Sequence, residues 1–227
     1  MNKPLIAIDL DGTIEDSRSD MVAAARRVRA AFGLPPRPDS ALRPYVNAGM
    51  DLLYRACFDD YLAEDPDRYA RVRSAYEADY LANVAVQTKL YTGMAGALAG
   101  LAQRGNLACV TNKPEQISRH LLSVLGVGDL FQTVVGGDSC DHIKPHPIML
   151  RTAAERCGYA QGSVKAVMIG DTQADVQLGR AFGARTIWCA WGYVESVADP
   201  GDATAHNPEH LLRLVEVSSA ASRAFAA

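Results

Sequence analysis

No stretch of the chain approaches the roughly 20 apolar residues that cross a bilayer. The N-terminal Met1-Asn2-Lys3-Pro4 is followed by only four apolar residues, Leu5 to Ile8, before Asp9. A secretion signal needs about 7–15 apolar residues and a cleavage site, so a cytoplasmic protein with no membrane partner is expected. An excess of charge of one sign is also missing: 23 Lys and Arg stand against 26 Asp and Glu, a net of −3. That balance excludes a strongly basic nucleic-acid binder. Cysteine is sparse, odd in number and scattered at Cys57, Cys109, Cys140, Cys157 and Cys189, with no C-x-x-C. This argues against a disulfide framework and against a zinc site, and Cys109 and Cys189, inside apolar runs, read as small buried residues. None of the five histidines forms H-E-x-x-H or a Cys/His cluster.

At 227 residues, 48% hydrophobic and 22% charged, the chain has an ordinary globular composition and room for one domain with a substantial insertion. Consecutive apolar residues at Pro4–Leu10, Leu107–Val110, Thr133–Val135, Val164–Ile169 and Thr186–Ala190 predict strands buried on both faces, as in a parallel sheet. Helical patterns alternate with them at Met94–Gln103 (with Thr92 as a cap), Glu115–Leu125, Pro147–Cys157 and Ala174–Phe182. That alternation predicts an α/β sheet with right-handed crossovers. Residues 18–85 contain no convincing strand; helices are expected over Asp20–Phe32, Ser40–Val46, Met50–Tyr61 and Asp67–Asn83. A helical block therefore interrupts the sheet directly after its first strand.

The segment Asp9-Leu10-Asp11-Gly12-Thr13 closes that strand. Residues two apart in a strand point to one side, so Asp9 and Asp11 aim together at the crevice where open α/β sheets bind ligands. Adjacent carboxylates repel unless they share a proton or a cation, and hard oxygen ligands on a turn suit Mg²⁺. A lone Asp there is commonly a turn former or a cap; D-x-D-G-T after an apolar strand is not commonly either.

These residues resemble motif I of the haloacid dehalogenase superfamily. Three further segments resemble its later motifs in order: Thr111-Asn112-Lys113-Pro114, Lys144-Pro145-His146-Pro147 and Gly170-Asp171-Thr172-Gln173-Ala174-Asp175. The resemblance implies a Rossmann-like parallel core from residues 1–17 and 88–227, with an inserted α-helical cap at 18–87. It implies a phosphatase. Asp9 would be the nucleophile, Asp11 the general acid/base, and Thr111 and Lys144 ligands of the phosphoryl group. Asp9, the backbone carbonyl of Asp11, and Asp171 would hold Mg²⁺, with Asp175 orienting Lys144 or a metal-bound water. Gly12, Thr13, Asn112 and, from the cap, Asn47 would contact substrate, with Arg43 and Arg55 as further cap candidates. Lys113 reads as solvent-facing or auxiliary to phosphate binding. Trp188, Trp191 and Tyr193 read as core or rim packing.

Within the superfamily the chain is most similar to the phosphoglycolate phosphatases, which implies a small phosphorylated metabolite such as 2-phosphoglycolate as substrate and a monomer or homodimer. Asn47-Ala48-Gly49 replaces a usual Gly-x-Gly, and Glu15 replaces an apolar residue, placing an extra charge near the site. A phosphomutase similar to β-phosphoglucomutase would share all four motifs and differ in the cap. A non-catalytic binding module would be expected to have lost one of the acids. Phosphonate hydrolysis would need a cap lysine, and residues 18–85 contain none.

Overall fold

A computed structural model describes residues 3–160 and 164–215, without the side chains of residues 47 and 48. The chain divides into two compact units, Met1–Glu15 with Leu90–Ala227, and Asp16–Lys89. Among the described residues no helix is long and apolar enough to cross a membrane.

In chain order the elements begin with β1 (Leu5–Ile8), β2 (Glu15–Asp16) and α1 (Arg18–Ala31). Then come α2 (Asp39–Leu42), α3 (Met50–Cys57), α4 (Asp59–Glu64), α5 (Tyr69–Ala82), β3 (Lys89–Leu90) and α6 (Met94–Arg104). β4 (Asn106–Val110), α7 (Glu115–Val124), β5 (Thr133–Val135), α8 (Ile148–Arg156), β6 (Ala166–Gly170), α9 (Gln173–Phe182), β7 (Arg185–Cys189) and β8 (Ala203–Ala205) follow. The larger unit carries a six-stranded sheet in the order β5-β4-β1-β6-β7-β8, parallel throughout. All four β1 residues are fully buried, as a central parallel strand requires. Leu5, Ala7, Ala108, Val110 and Met168 share a core cluster with Met149, Leu150 and Ala153 of α8 and Leu178 of α9.

Sheet order places the site. From β1 the chain first builds outward through β4 and β5, then returns to add β6, β7 and β8 on the other side. β1 thus lies at a topological switch point, and the crevice opens beyond the carboxyl ends of β1, β4 and β6. The register pairs Ile8 with both Cys109 and Ile169, so Asp9, Val110 and Gly170 end level and the loops after them converge.

The sixth strand, β8, has no signal in the pattern Ala203-Thr204-Ala205. A tertiary contact makes it: Asp202 Oδ2 accepts hydrogen bonds from Thr186 N (2.7 Å) and Thr186 Oγ1 (2.9 Å), docking the segment on β7. Thr92 does not cap α6; Gly93, at φ 83°, holds that position.

In the unit Asp16–Lys89, the expected helix Ser40–Val46 resolves into α2 and a 3-10 turn, Arg43–Ala48, where Pro44 has no N–H to continue an α-helix. Met50–Tyr61 is broken between α3 and α4 at Phe58, whose φ −130° and ψ 26° leave the helical region. Tyr54, Tyr76 and Tyr80 are buried, and the Tyr76 hydroxyl donates to Met21 O at 2.9 Å. The two ends of the unit are tied together by one buried carboxylate. Asp20 accepts from Gln87 N at 2.9 Å, Thr88 N at 2.8 Å and Thr88 Oγ1 at 2.7 Å.

Candidate active site

Asp9 is the first residue past β1, and its N–H still donates to Ile169 O at 2.9 Å, continuing the ladder. The chain then turns sharply. Gly12 adopts φ +79° and its N–H donates to Glu15 O at 2.9 Å. A Cβ at Gly12 would lie 2.5 Å from Asp171 Oδ2, so only glycine allows the loop this close to the end of β6.

Three buried carboxylates, Asp9, Asp171 and Asp175, each offer an oxygen to a common point, these atoms lying within 4.8 Å of one another. One ammonium stands among them: Lys144 Nζ is 2.6 Å from Asp9 Oδ1 and 2.8 Å from Asp175 Oδ1. Burial raises the pKa of Asp9 well above the ordinary carboxylate range; Lys144 opposes the rise, and Asp175 and Asp171 add to it. Burial and then the charge of Asp175 push Asp171 up to about 7, against the Tyr193 N–H that favours its ionised form. For Lys144, burial works to lower the pKa, but Asp175 and Asp9 outweigh it and the pKa is raised. The lysine therefore stays charged throughout the neutral range.

Three carboxylates against one ammonium leave two negative charges in excess when all are ionised, a deficit that a divalent cation would fill. Asp175 is already engaged at both oxygens. Oδ1 faces Lys144, and Oδ2 accepts from Thr172 N (3.0 Å) and Thr172 Oγ1 (2.6 Å) in the capping box that starts α9. Asp9 and Asp171 are thus the carboxylates suited to a metal, and the donor set fits one.

A model of the haloacid dehalogenase-like hydrolases matches residues 6–189. The chain belongs to that family. A phosphoglycolate phosphatase of Nitrosococcus oceani is 33% identical over 224 residues, 97% of each chain. Among solved structures, a Haemophilus somnus protein described as a predicted phosphoglycolate phosphatase superposes with a TM-score of 0.79 at 24% identity, covering 95% of this chain and 99% of its own. A HAD hydrolase of Bacillus subtilis bound to magnesium superposes with a TM-score of 0.71 at 20% identity, covering 94% and 99%. At those identities the structural likeness is one of fold.

In this haloacid dehalogenase-like hydrolase the remaining candidate residues fall into three groups. Thr13 and Thr111 are buried beside the carboxylates: Thr13 Oγ1 donates to Asp171 Oδ1 at 3.1 Å, and Thr111 Oγ1 accepts from Lys113 N at 3.2 Å. Asn112 ties two loops together. Its Oδ1 accepts from Lys144 N at 2.9 Å, pinning the loop that carries the lysine. Asn47 sits in the 3-10 turn Arg43–Ala48 of the other unit, and its side chain lies outside the described residues. Arg43 and Arg55 belong to that unit as well.

Two readings from sequence need correction. Lys113 is not solvent-facing: its side chain is 1% exposed, with Nζ 2.5 Å from Asp11 Oδ1. Asp11 therefore faces a different cation from Asp9. The aromatic cluster in and after β7 does more than pack. Trp188 Nε1 donates to Asp171 O at 2.8 Å, Trp191 Nε1 to Thr13 O at 3.1 Å, and Tyr193 N to Asp171 Oδ2 at 2.8 Å. A Cβ at Gly192 would lie 2.2 Å from Asp171 Cβ, so Trp191-Gly192-Tyr193 forms a close backing for Asp171. The only signal for that role in the sequence is a glycine between two aromatics after the last long strand. Glu15 is fully buried in β2.

Proposed function

We propose that the chain is a Mg²⁺-dependent phosphomonoesterase that works through an aspartyl-phosphate on Asp9, with a small metabolite such as 2-phosphoglycolate as substrate. The observation that carries this reading is the arrangement at the end of β1. Asp9 is buried against Lys144, and Asp11, two residues on, is turned to a separate lysine. The two carboxylates thus lie in different surroundings, which supports separate roles for them, Asp9 as nucleophile and Asp11 as proton carrier.

In the first step an Asp9 carboxylate oxygen attacks phosphorus. The bond from phosphorus to the substrate oxygen breaks, and that oxygen takes a proton from the Asp11 carboxyl and leaves as the alcohol. In the second step Asp11, now ionised, takes a proton from water as its oxygen attacks the same phosphorus, releasing inorganic phosphate and restoring Asp9. Lys144 holds Asp9 in place and neutralises charge on the phosphoryl oxygens, and the Thr111 hydroxyl, at the end of β4, supplies a further phosphate contact. Asp175 acts through Lys144. Mg²⁺, held by Asp9, Asp171 and the Asp11 carbonyl, would neutralise phosphoryl charge when bound. In this reading the helical unit of residues 18–87 is the cap that sets substrate range.

The phosphoglycolate phosphatase of N. oceani, at 33% identity over nearly the whole of both chains, supports the named substrate, and the magnesium-bound B. subtilis hydrolase supports the metal. The test is phosphate release from a panel of small phosphomonoesters that includes 2-phosphoglycolate, with and without EDTA. A kcat/KM for phosphoglycolate far above the rest, abolished by EDTA and by Asp9→Asn, is expected. Full activity in Asp9→Asn would refute the nucleophile, and flat activity across the panel would refute the substrate.

A further inference from the structure

We infer that Lys113 is a positioning residue for the proton carrier Asp11 and not a ligand of the substrate phosphate. The inference rests on the phosphatase reading above and adds a residue that the motif roles leave without a task. A buried ammonium is costly unless a counter-charge lies against it. Lys113, with a side chain 1% exposed, has that counter-charge in Asp11, at 2.5 Å. The Asp11 side chain is 20% exposed, so the lysine reaches it from inside the protein and leaves a route from the crevice.

The backbone that delivers this lysine is fixed. Its N–H donates to Thr111 Oγ1 at 3.2 Å, and its carbonyl accepts from Gly137 N at 3.0 Å. At Gly136 a Cβ would lie 2.8 Å from Lys113 O and 2.2 Å from Glu115 N, so the loop after β5 presses on the residue from the other side. The ammonium thus sits at the end of a packed stem on a clamped backbone.

Two consequences follow for a site with acids at positions 9 and 11. Each carboxylate has its own lysine, Lys144 for Asp9 and Lys113 for Asp11, so the two side chains are drawn to separate partners. Holding Oδ1 of Asp11 also fixes the plane of the carboxyl group, and with it the direction from which the proton is delivered. Orientation of a proton carrier acts on turnover rather than on substrate affinity.

The experiment uses the full-length protein and the best substrate of the panel, with Asp9→Asn as the blank. Lys113→Met is expected to lower kcat by roughly 10–100-fold with KM changed less than about twofold. Lys113→Arg, which keeps the charge, should recover part of the loss. Asp11→Asn should lower kcat further, and Asp11→Asn/Lys113→Met should be no slower than Asp11→Asn alone, because the lysine acts through the acid it holds. The double variant lacks both charges, so it also covers the case in which Lys113→Met folds poorly with Asp11 left unpaired. Losses that multiply in the double variant, a KM raised tenfold or more in Lys113→Met, or an unchanged Lys113→Met would each overturn the inference while leaving the phosphatase reading intact. Absence of Asp9-dependent phosphate release would overturn that reading, and the inference with it.

Discussion

Replacing Arg29 by Met should destabilise the helical unit by about 3 kcal/mol. Arg29 in α1 is 1% exposed and saturates its guanidinium. It donates twice to Pro35 O (3.2 and 2.8 Å), once to Cys57 O (2.6 Å), and to both oxygens of Asp60 (2.9 and 2.6 Å). One side chain thus joins α1 to the Leu34–Pro38 turn, the end of α3 and the start of α4. Methionine fills similar volume and removes every bond. Orphaning the buried Cys57 carbonyl costs about 1–3 kcal/mol. The Asp60 share is smaller. Hydrogen bonding to Arg29 is the largest cause that holds its carboxyl at about 2, from an ordinary 3.8, with the Tyr61 N–H and Arg37 adding to it. That shift is worth roughly 2.5 kcal/mol at full weight, and the one-third exposure of Asp60 screens it to about 1 kcal/mol. Because the folded-state pKa is lowered, this contribution is present at neutral pH and fades as pH falls from about 4 toward 2. Chemical and thermal denaturation of the full chain at pH 7 would show the loss, a drop in Tm of roughly 12–24 °C for the transition that melts this unit. The same measurement from pH 5 to 2 should show a shallower acid dependence in Arg29→Met than in the wild type. A loss below about 1 kcal/mol, or identical acid limbs, would refute the reasoning.

Gly192→Ala should place a methyl 2.2 Å from Asp171 Cβ, costing about 1–3 kcal/mol of stability and weakening Mg²⁺ binding, both readable by thermal shift with and without the ion. Asp171, with its pKa raised to about 7, binds more protons folded than unfolded, so the metal-free protein should lose about 1 kcal/mol of stability as pH rises from 6 to 8. Mg²⁺ should accordingly raise Tm more at pH 8 than at pH 6, and an equal rise at both would count against Asp171 as a ligand. Asp20→Ala, by freeing Gln87 N, Thr88 N and Thr88 Oγ1, should increase proteolysis and hydrogen exchange at residues 86–89; unchanged protection there would show that the tie is dispensable.

Sequence by itself determined the parts of this protein that depend on near neighbours. Leu5 to Ile8, apolar on every residue and closed by a polar turn, read as a strand covered on both faces. Asp9 and Asp11 at its end, and Gly12 after them, specify a tight acidic turn whatever the rest of the chain does. The alternation after residue 90 specifies the α/β core, and the lack of any strand pattern over 18–85 marks the helical insertion. Family membership was legible for the same reason, because each motif is a short local stretch at a strand end.

Tertiary structure decided what distant segments do to one another. Lys113 looks like a surface lysine in the string Thr111-Asn112-Lys113-Pro114; only the approach of β4 to β1 and the pressure of Gly136 and Gly137 on its backbone turn it inward onto Asp11. Asn112 spends its carbonyl oxygen on the Lys144 loop, 32 residues away. Trp191-Gly192-Tyr193 backs Asp171 because the chain after β7 folds across the end of β6. β8 exists through the bonds from Thr186 to Asp202. Hydrophobic periodicity and turn chemistry act over a few residues and can be read along the chain. The partner of a buried charge lies across the fold, and it is chosen by packing.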